Sequence, residues 1–178
     1  LASTCIERHG KIDFLVNNAG GQFLAPPDNI SLKGWNAVIE TNLTGTFSMC
    51  RAVTDSWMGK HGGVIVNIVA NFWNGMPLMA HTSAARAGVA NLTKSLALAW
   101  ADKGIRINSV APGIILSSGL KNYPSYVVDM LKATVTNIPV KRLGTESEVS
   151  SAVSFLLSPA AAFISGETIR VDGAGALY

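Results

Sequence analysis

Charge is scarce in this chain. Only 14% of its 178 residues are charged, 14 basic against 11 acidic, for a formal net charge of +3. The basic residues are scattered, as at Arg51, Lys60, Lys94, Arg106 and Lys141, and no stripe of them suggests nucleic acid. Cysteine is nearly absent. Cys5 and Cys50 make neither a disulfide framework nor a metal-ligand spacing, so no metal is expected and a reducing, intracellular compartment fits. No apolar run reaches the roughly 18 residues of a membrane span. Three Asn-x-Ser/Thr triplets, at Asn29, Asn42 and Asn91, are read as chance, since the last two fall inside predicted helices.

What is present is apolar: 48% of the chain is hydrophobic, enough for a well-packed core. A single domain over 1–178 is expected. Ile12 to Val16, Val64 to Ile68, Ile105 to Val110 and Thr168 to Val171 read as short buried strands. Between them lie helical patterns. One starts near Leu32 behind a Ser31 cap, a long one runs from Ala84 to Ala101, and one capped by Thr145 or Ser147 ends at Leu157. A further helical stretch is expected within Asn122 to Thr134. Strands alternating with helices predict an α/β, doubly wound parallel sheet. The chain opens at Leu1 in mid-pattern, near a helix end at His9-Gly10, so it is expected to be the C-terminal part of a longer protein.

In such sheets ligands sit beyond the carboxyl ends of the strands. Four segments fall there: Asn17 to Gly20, Val69 to Met79, Pro112 to Ser118, and Asp172-Gly173. Turn chemistry alone accounts for any one of them. Their order along the chain is more specific.

That order resembles the short-chain dehydrogenase/reductase family. The resemblance rests on Asn17-Asn18-Ala19-Gly20, on Asn42 in Thr41-Asn42-Leu43-Thr44-Gly45, on Val64 to Ile68, on Arg106 to Gly113, and on the tail from Gly166 to Gly173. Within the family, Ala84 to Leu98, Ile138 to Gly144 and Phe155 to Ala161 are similar to members that reduce trans-2-enoyl-CoA in the peroxisome. The resemblance implies a Rossmann-like fold, a nicotinamide cofactor, NADP(H) or NAD(H), an acyl-CoA-type substrate and a homo-oligomer. It places cofactor contacts at Asn17, Asn18, Ala19, Gly20, Ile68, Pro112, Gly113, Ile115 and Ser117, and catalytic roles at Asn42, Arg86 and Lys94. It points to the peroxisome, or the cytoplasm otherwise, although Ala176-Leu177-Tyr178 is not a peroxisomal ending of the S-K-L type.

The departures are equally specific. No G-x-x-x-G-x-G phosphate loop occurs, so the main pyrophosphate cradle and the choice between NAD and NADP are not readable. The family's Y-x-x-x-K falls on Thr82 and Arg86 in one register and on Ala90 and Lys94 in the other. The family's serine falls on Val69 or Ala70. Arginine is a poor proton donor, its pKa lying above about 12. His81 is read as a cap or surface residue, and Tyr123 and Tyr126 as packing or acyl contacts. Two alternatives to an enoyl-CoA reductase therefore stand: a 3-oxoacyl or carbonyl reductase, and a catalytically impaired relative. The strand at Ile12 to Val16 is also expected to form a bare sheet edge, favouring association.

Overall fold

The structure, a computed structural model, describes residues 1–119 and 125–177. Its centre is a parallel sheet of β1 (Phe14–Asn17), β2 (Gly63–Ile68), β3 (Ile105–Pro112) and β6 (Thr168–Val171), in the order β1-β2-β3-β6. A second pairing joins β4 (Ile115–Leu116) to β5 (Gly144–Thr145). The architecture is the α/β, Rossmann-like one that the sequence predicts.

Side-chain alternation sorts the helices onto two faces. Ile65 and Ile107 point to the face covered by α1 (Ala2–His9), α3 (Gly45–Val53) and α5 (Ala80–Ala99), where they pack with Ile6, Cys50, Val53 and Leu96. Val66 and Val110 point to the other face and meet Leu156 on α7 (Glu146–Leu157). Thr145 caps α7: its hydroxyl accepts the Glu148 N–H, and the Glu148 carboxylate accepts the Thr145 N–H in return. Arg106, on the α7 face of β3, donates to the carbonyls of Leu156, Ser158 and Ile164 and so holds the end of that helix.

β1 is the outer strand of this sheet among the described residues. Its Phe14 and Val16 lie on the α7 side and are 55% and 40% exposed. A short α6 (Ser125–Ala133) falls within the excursion where a helical stretch is expected. Tyr126 on it is exposed, and Tyr123 lies outside the described residues.

The long helix starts four residues before its predicted start and takes in His81 and Thr82. Met79, the residue before it, offers no side-chain cap, and Leu78 sits in the left-handed region at φ 62°. The sequence therefore carries no standard start signal there. The His81 ring supplies one instead, its Nδ1 accepting the Thr82 N–H at 2.7 Å.

Candidate functional site

The sheet gathers the strand-end segments on one edge. Val69 N–H donates to the Val110 carbonyl at 2.8 Å, Asn71 N–H to that of Pro112 at 3.1 Å, and Gly113 N–H to that of Val171 at 3.0 Å. Gly113 has no room for a side chain, because a Cβ there would lie 2.8 Å from the Asp172 Cα. Asp172 in turn accepts the N–H groups of Ala174 and Ala176, fixing the turn beyond β6.

Asn42 reaches this edge through an irregular helix. α2 (Leu32–Ile39) runs into a π-helical segment, Glu40–Thr44, and then into α3. Such bulges loosen the i→i−4 ladder and leave carbonyls free. Here the Thr41 and Thr46 hydroxyls occupy the carbonyls of Ala37 and Asn42, each at 2.8 Å. Asn42 spends both amide hydrogens on carbonyls, Val38 at 2.8 Å and Gly21 at 2.7 Å. The second bond ties the loop after β1 to the helix. Its Oδ1 is buried and has no partner among the described residues.

Arg86 comes to the same place from α5. It is only 9% exposed, and its Nη1 donates to the Ile68 carbonyl at the end of β2, 2.7 Å away. Burial lowers its pKa. Among the described residues it forms no ion pair, so the charge of this buried guanidinium is left unneutralised by direct contact. Gly20 closes the group. A Cβ there would lie 2.6 Å from Asn42 Oδ1 and closer still to Arg86 Nη2. The bare backbone thus lets a loop pass directly over a cation and an unpaired acceptor.

The other candidate residues are distributed around this centre. Asn17 is buried and structural in its contacts, donating to Asn67 Oδ1 at 2.8 Å and Cys50 Sγ at 3.2 Å. Asn18 and Ala19 are exposed on the loop. Ile115 pairs with Gly144 in the small sheet, and Ser117 follows it on the segment that Ser118 N–H ties to Glu146 Oε1 at 3.0 Å. Lys94 is exposed two turns beyond Arg86. It lines a separate groove of about 400 Å³ with Trp73, Asn91, Glu167 and Arg170. Arg86 and Lys94 are therefore not brought together. Val69 and Ala70, at the serine's expected place, offer no hydroxyl.

Sequence reasoning missed two things here. Asn17, Asn67 and Ser109 lie in one row across the sheet, since Asn17 registers with Asn67 and Asn67 with Ser109. Asn67 Nδ2 donates to Thr93 Oγ1 at 2.9 Å, and Thr93 and Ser109 share a hydrogen bond at 2.7 Å. Polar residues inside otherwise apolar strands were the available signal. Cys50 sits against this row, and burial pushes its thiol up to about 12. The second is His81, fully buried rather than on the surface, with its ring edge-on to Phe23 at 4.4 Å. Nothing in its sequence surroundings marks that.

Chemically, the Arg86–Asn42–Gly20 group pairs a fixed cation with an open acceptor. It suits a ligand that presents a negative or polarised oxygen beside a hydroxyl or N–H.

A family model described as enoyl-(acyl carrier protein) reductase matches residues 1–174. A probable 2,4-dienoyl-CoA reductase [(2E)-enoyl-CoA-producing] of Bacillus subtilis (strain 168) is 39% identical over 171 residues, 94% of this chain and 67% of that protein. A peroxisomal 2,4-dienoyl-CoA reductase [(3E)-enoyl-CoA-producing] of Rattus norvegicus is 38% identical over 170 residues, 94% of this chain and 58% of its own length. A solved structure, the citronellol catabolism dehydrogenase AtuB of Pseudomonas aeruginosa PAO1, superposes with a TM-score of 0.85 at 44% identity, over 98% of this chain and 66% of that one. The chain thus spans about two thirds of these relatives or less. It belongs to the short-chain dehydrogenase/reductase family of oxidoreductases.

Proposed function

We propose that this chain carries the substrate side of an NAD(P)H-dependent reductase that acts on an unsaturated acyl thioester, a trans-2-enoyl-CoA or a 2,4-dienoyl-CoA. The observation that carries the reading is Arg86: a buried guanidinium held at the sheet's carboxyl edge beside Asn42 Oδ1, the first without a carboxylate partner and the second without a hydrogen-bond partner among the described residues. The names of the Bacillus and rat relatives point to the same substrate class.

The residues present fit the nicotinamide half of the cofactor. Gly20 and Gly113 leave backbone bare where a Cβ would collide, and Asn42 keeps a free acceptor. Asn17 to Gly20, Ile68, Pro112, Gly113, Ile115 and Ser117 would line that half, which supplies hydride when bound. NADP(H) and NAD(H) both suit it. Arg86 is assigned to the oxygen that gains charge, and Asn42 to holding the Gly21 loop and accepting a ligand hydroxyl. Lys94, on its separate face, is left outside the site.

Hydride addition to the conjugated double bond places charge on the thioester oxygen. A guanidinium stabilises that charge by donating hydrogen bonds without giving up its proton. Water then supplies the proton to the α-carbon. Reduction of a ketone, by contrast, must end with a proton on oxygen, which Arg86 delivers poorly. Water can protonate an alkoxide as well, so the preference for C=C over C=O rests on the substrate class that the relatives' names carry. We extend the reading to a homo-oligomer, checked by size-exclusion chromatography. We extend it also to a peroxisomal address, a word carried in the rat relative's name, checked by co-localisation of a tagged chain.

The test is oxidation of NADPH or NADH by the protein with trans-2-enoyl-CoA, 2,4-dienoyl-CoA and 3-oxoacyl-CoA in parallel. Turnover of the first two and loss of it in Arg86→Met are expected. Faster turnover of the oxoacyl thioester would transfer the assignment to a carbonyl reductase. Cofactor binding with no turnover of any would leave a non-catalytic relative.

A further inference from the structure

The groove of about 400 Å³ that Lys94 lines lies between α5, β6 and the loop that leaves β2. Phe72 and Trp73 form its aromatic wall, stacked with ring centroids 4.3 Å apart at 14°. The Arg170 guanidinium stands over Trp73, 5.3 Å from the ring centroid. That cation–π contact holds Arg170 in place before any ligand arrives. Lys94, Arg170 and Glu167 all line the groove and are exposed, yet none of them forms an ion pair among the described residues. Asn91 adds an amide one turn before Lys94.

Two cations, one carboxylate, an amide and a flat aromatic wall complement a ligand that carries both a phosphate and a base with an exocyclic amine. An ammonium and a guanidinium donate to phosphate oxygens, and a carboxylate accepts from the amine. The volume falls within the range of about 300–1,000 Å³ of small-molecule sites. Two pieces of chain connect the groove to the site. Ala87, next to Arg86, lines it, and Lys94 lies roughly 12 Å beyond Arg86 at the rise of an α-helix. Phe72 and Trp73 lie on the loop that follows Ile68, whose carbonyl holds Arg86.

We infer that this groove binds the 3′-phosphoadenosine end of a coenzyme A thioester, with Lys94 and Arg170 on the phosphate and Glu167 and Asn91 on the adenine amine. The identity of the ligand rests on the proposed function. Lys94 thereby gains a binding task away from the reacting atoms, and the pantetheine arm spans the distance to Arg86.

Calorimetric titration with adenosine 3′,5′-bisphosphate tests this without turnover. One site is expected, tighter than for inorganic phosphate or for adenosine 2′,5′-bisphosphate, the corresponding end of NADP. Lys94→Ala and Arg170→Ala should each weaken it about tenfold, the size of one charge-assisted hydrogen bond, with thermal melts showing that both variants fold. No binding, undiminished binding in both variants, or preference for the 2′,5′ isomer would overturn the inference. So would loss of self-association in these variants, by size-exclusion chromatography, with bisphosphate binding unchanged: the groove would then be an interface between copies. In turnover, Arg170→Ala should lower the ratio of kcat/KM on the CoA thioester to that on the N-acetylcysteamine thioester about tenfold, through KM. Equal losses on both thioesters would also overturn it. Absence of any turnover would sink the proposed reduction, while the titration still decides the groove.

Discussion

Replacing Gly20 with alanine is the sharpest single perturbation of the site. The added methyl would stand 2.6 Å from Asn42 Oδ1 and nearer still to Arg86 Nη2. Ordinary contact begins near 3.4 Å, so Oδ1 must retreat by roughly 0.8 Å and Nη2 by more, or the loop must lift by at least the larger amount. Neither neighbour is slack. The Asn42 amide is pinned by bonds of 2.7 and 2.8 Å, and Arg86 by one of 2.7 Å to Ile68. Displacement on that scale costs a positioned catalytic group on the order of 10–100-fold in kcat/KM. The stability cost is smaller, about 1–2 kcal/mol, because one hydrogen bond is weakened and no core is opened. Gly21→Ala is the matched control: nothing lies within 4 Å of its Cβ, and it should be near neutral. Steady-state kinetics with denaturant melts of both variants decide the matter. Equal, small effects from Gly20→Ala and Gly21→Ala would refute the convergence of loop, amide and guanidinium.

Asn67→Ala removes the bonds from Asn17 at 2.8 Å and to Thr93 at 2.9 Å and opens a cavity at a site with no exposure. A loss of about 2–4 kcal/mol, or roughly 5–15 °C in Tm by calorimetry, is expected. A thiol reagent should label Cys5, which is half-buried, and spare Cys50, which is fully buried with its thiol pushed up to about 12; mass spectrometry of native and unfolded protein checks this. Arg142, the Glu148 partner at 2.6 Å, together with the Thr145 cap, holds the Glu148 carboxyl down to about 2 from its usual 4.5. A lowered folded pKa means a contribution that is present above about pH 4.5 and lost as the pH falls towards 2. Glu148→Gln should therefore flatten the acid limb of the stability curve in that window, measured by urea melts across pH.

The sheet was legible because its strands are short, mainly apolar runs bounded by turn residues. Thr168–Val171 matches the predicted strand, and Ile105–Pro112 extends the predicted one by two residues. Ser31 and Thr145 cap α2 and α7 because hydroxyls before apolar periodicity satisfy free N–H groups. The start of α5 was placed four residues late, although the reading of His81 as a cap was right: an imidazole does the work there that a Ser or Asp usually does. The π-helical segment at Asn42 left no trace in a 3.6-residue periodicity. Among the candidate residues, the pattern named Gly20, Asn42, Ile68 and Arg86, which the fold brings together. It could not show that Lys94 faces elsewhere, because a helix register cannot be read from spacing while the site it should face is unknown. The polar row at Asn17, Asn67 and Ser109 escaped because each residue reads as an exception inside its own strand. Only pairing between strands reveals the set.

That row acts as a registration mark. Its bonds close only when three strands and one helix are aligned to the residue, because a slip of one position along a strand turns every side chain to the opposite face. An apolar interior alone would tolerate a shifted strand with modest loss. Here a misaligned chain would bury several amide and hydroxyl groups with nothing to bond. The same residues that sit beneath the site thus discriminate against near-native mispairings as the sheet assembles, and the height of Arg86 and Gly20 relative to each other is inherited from that choice.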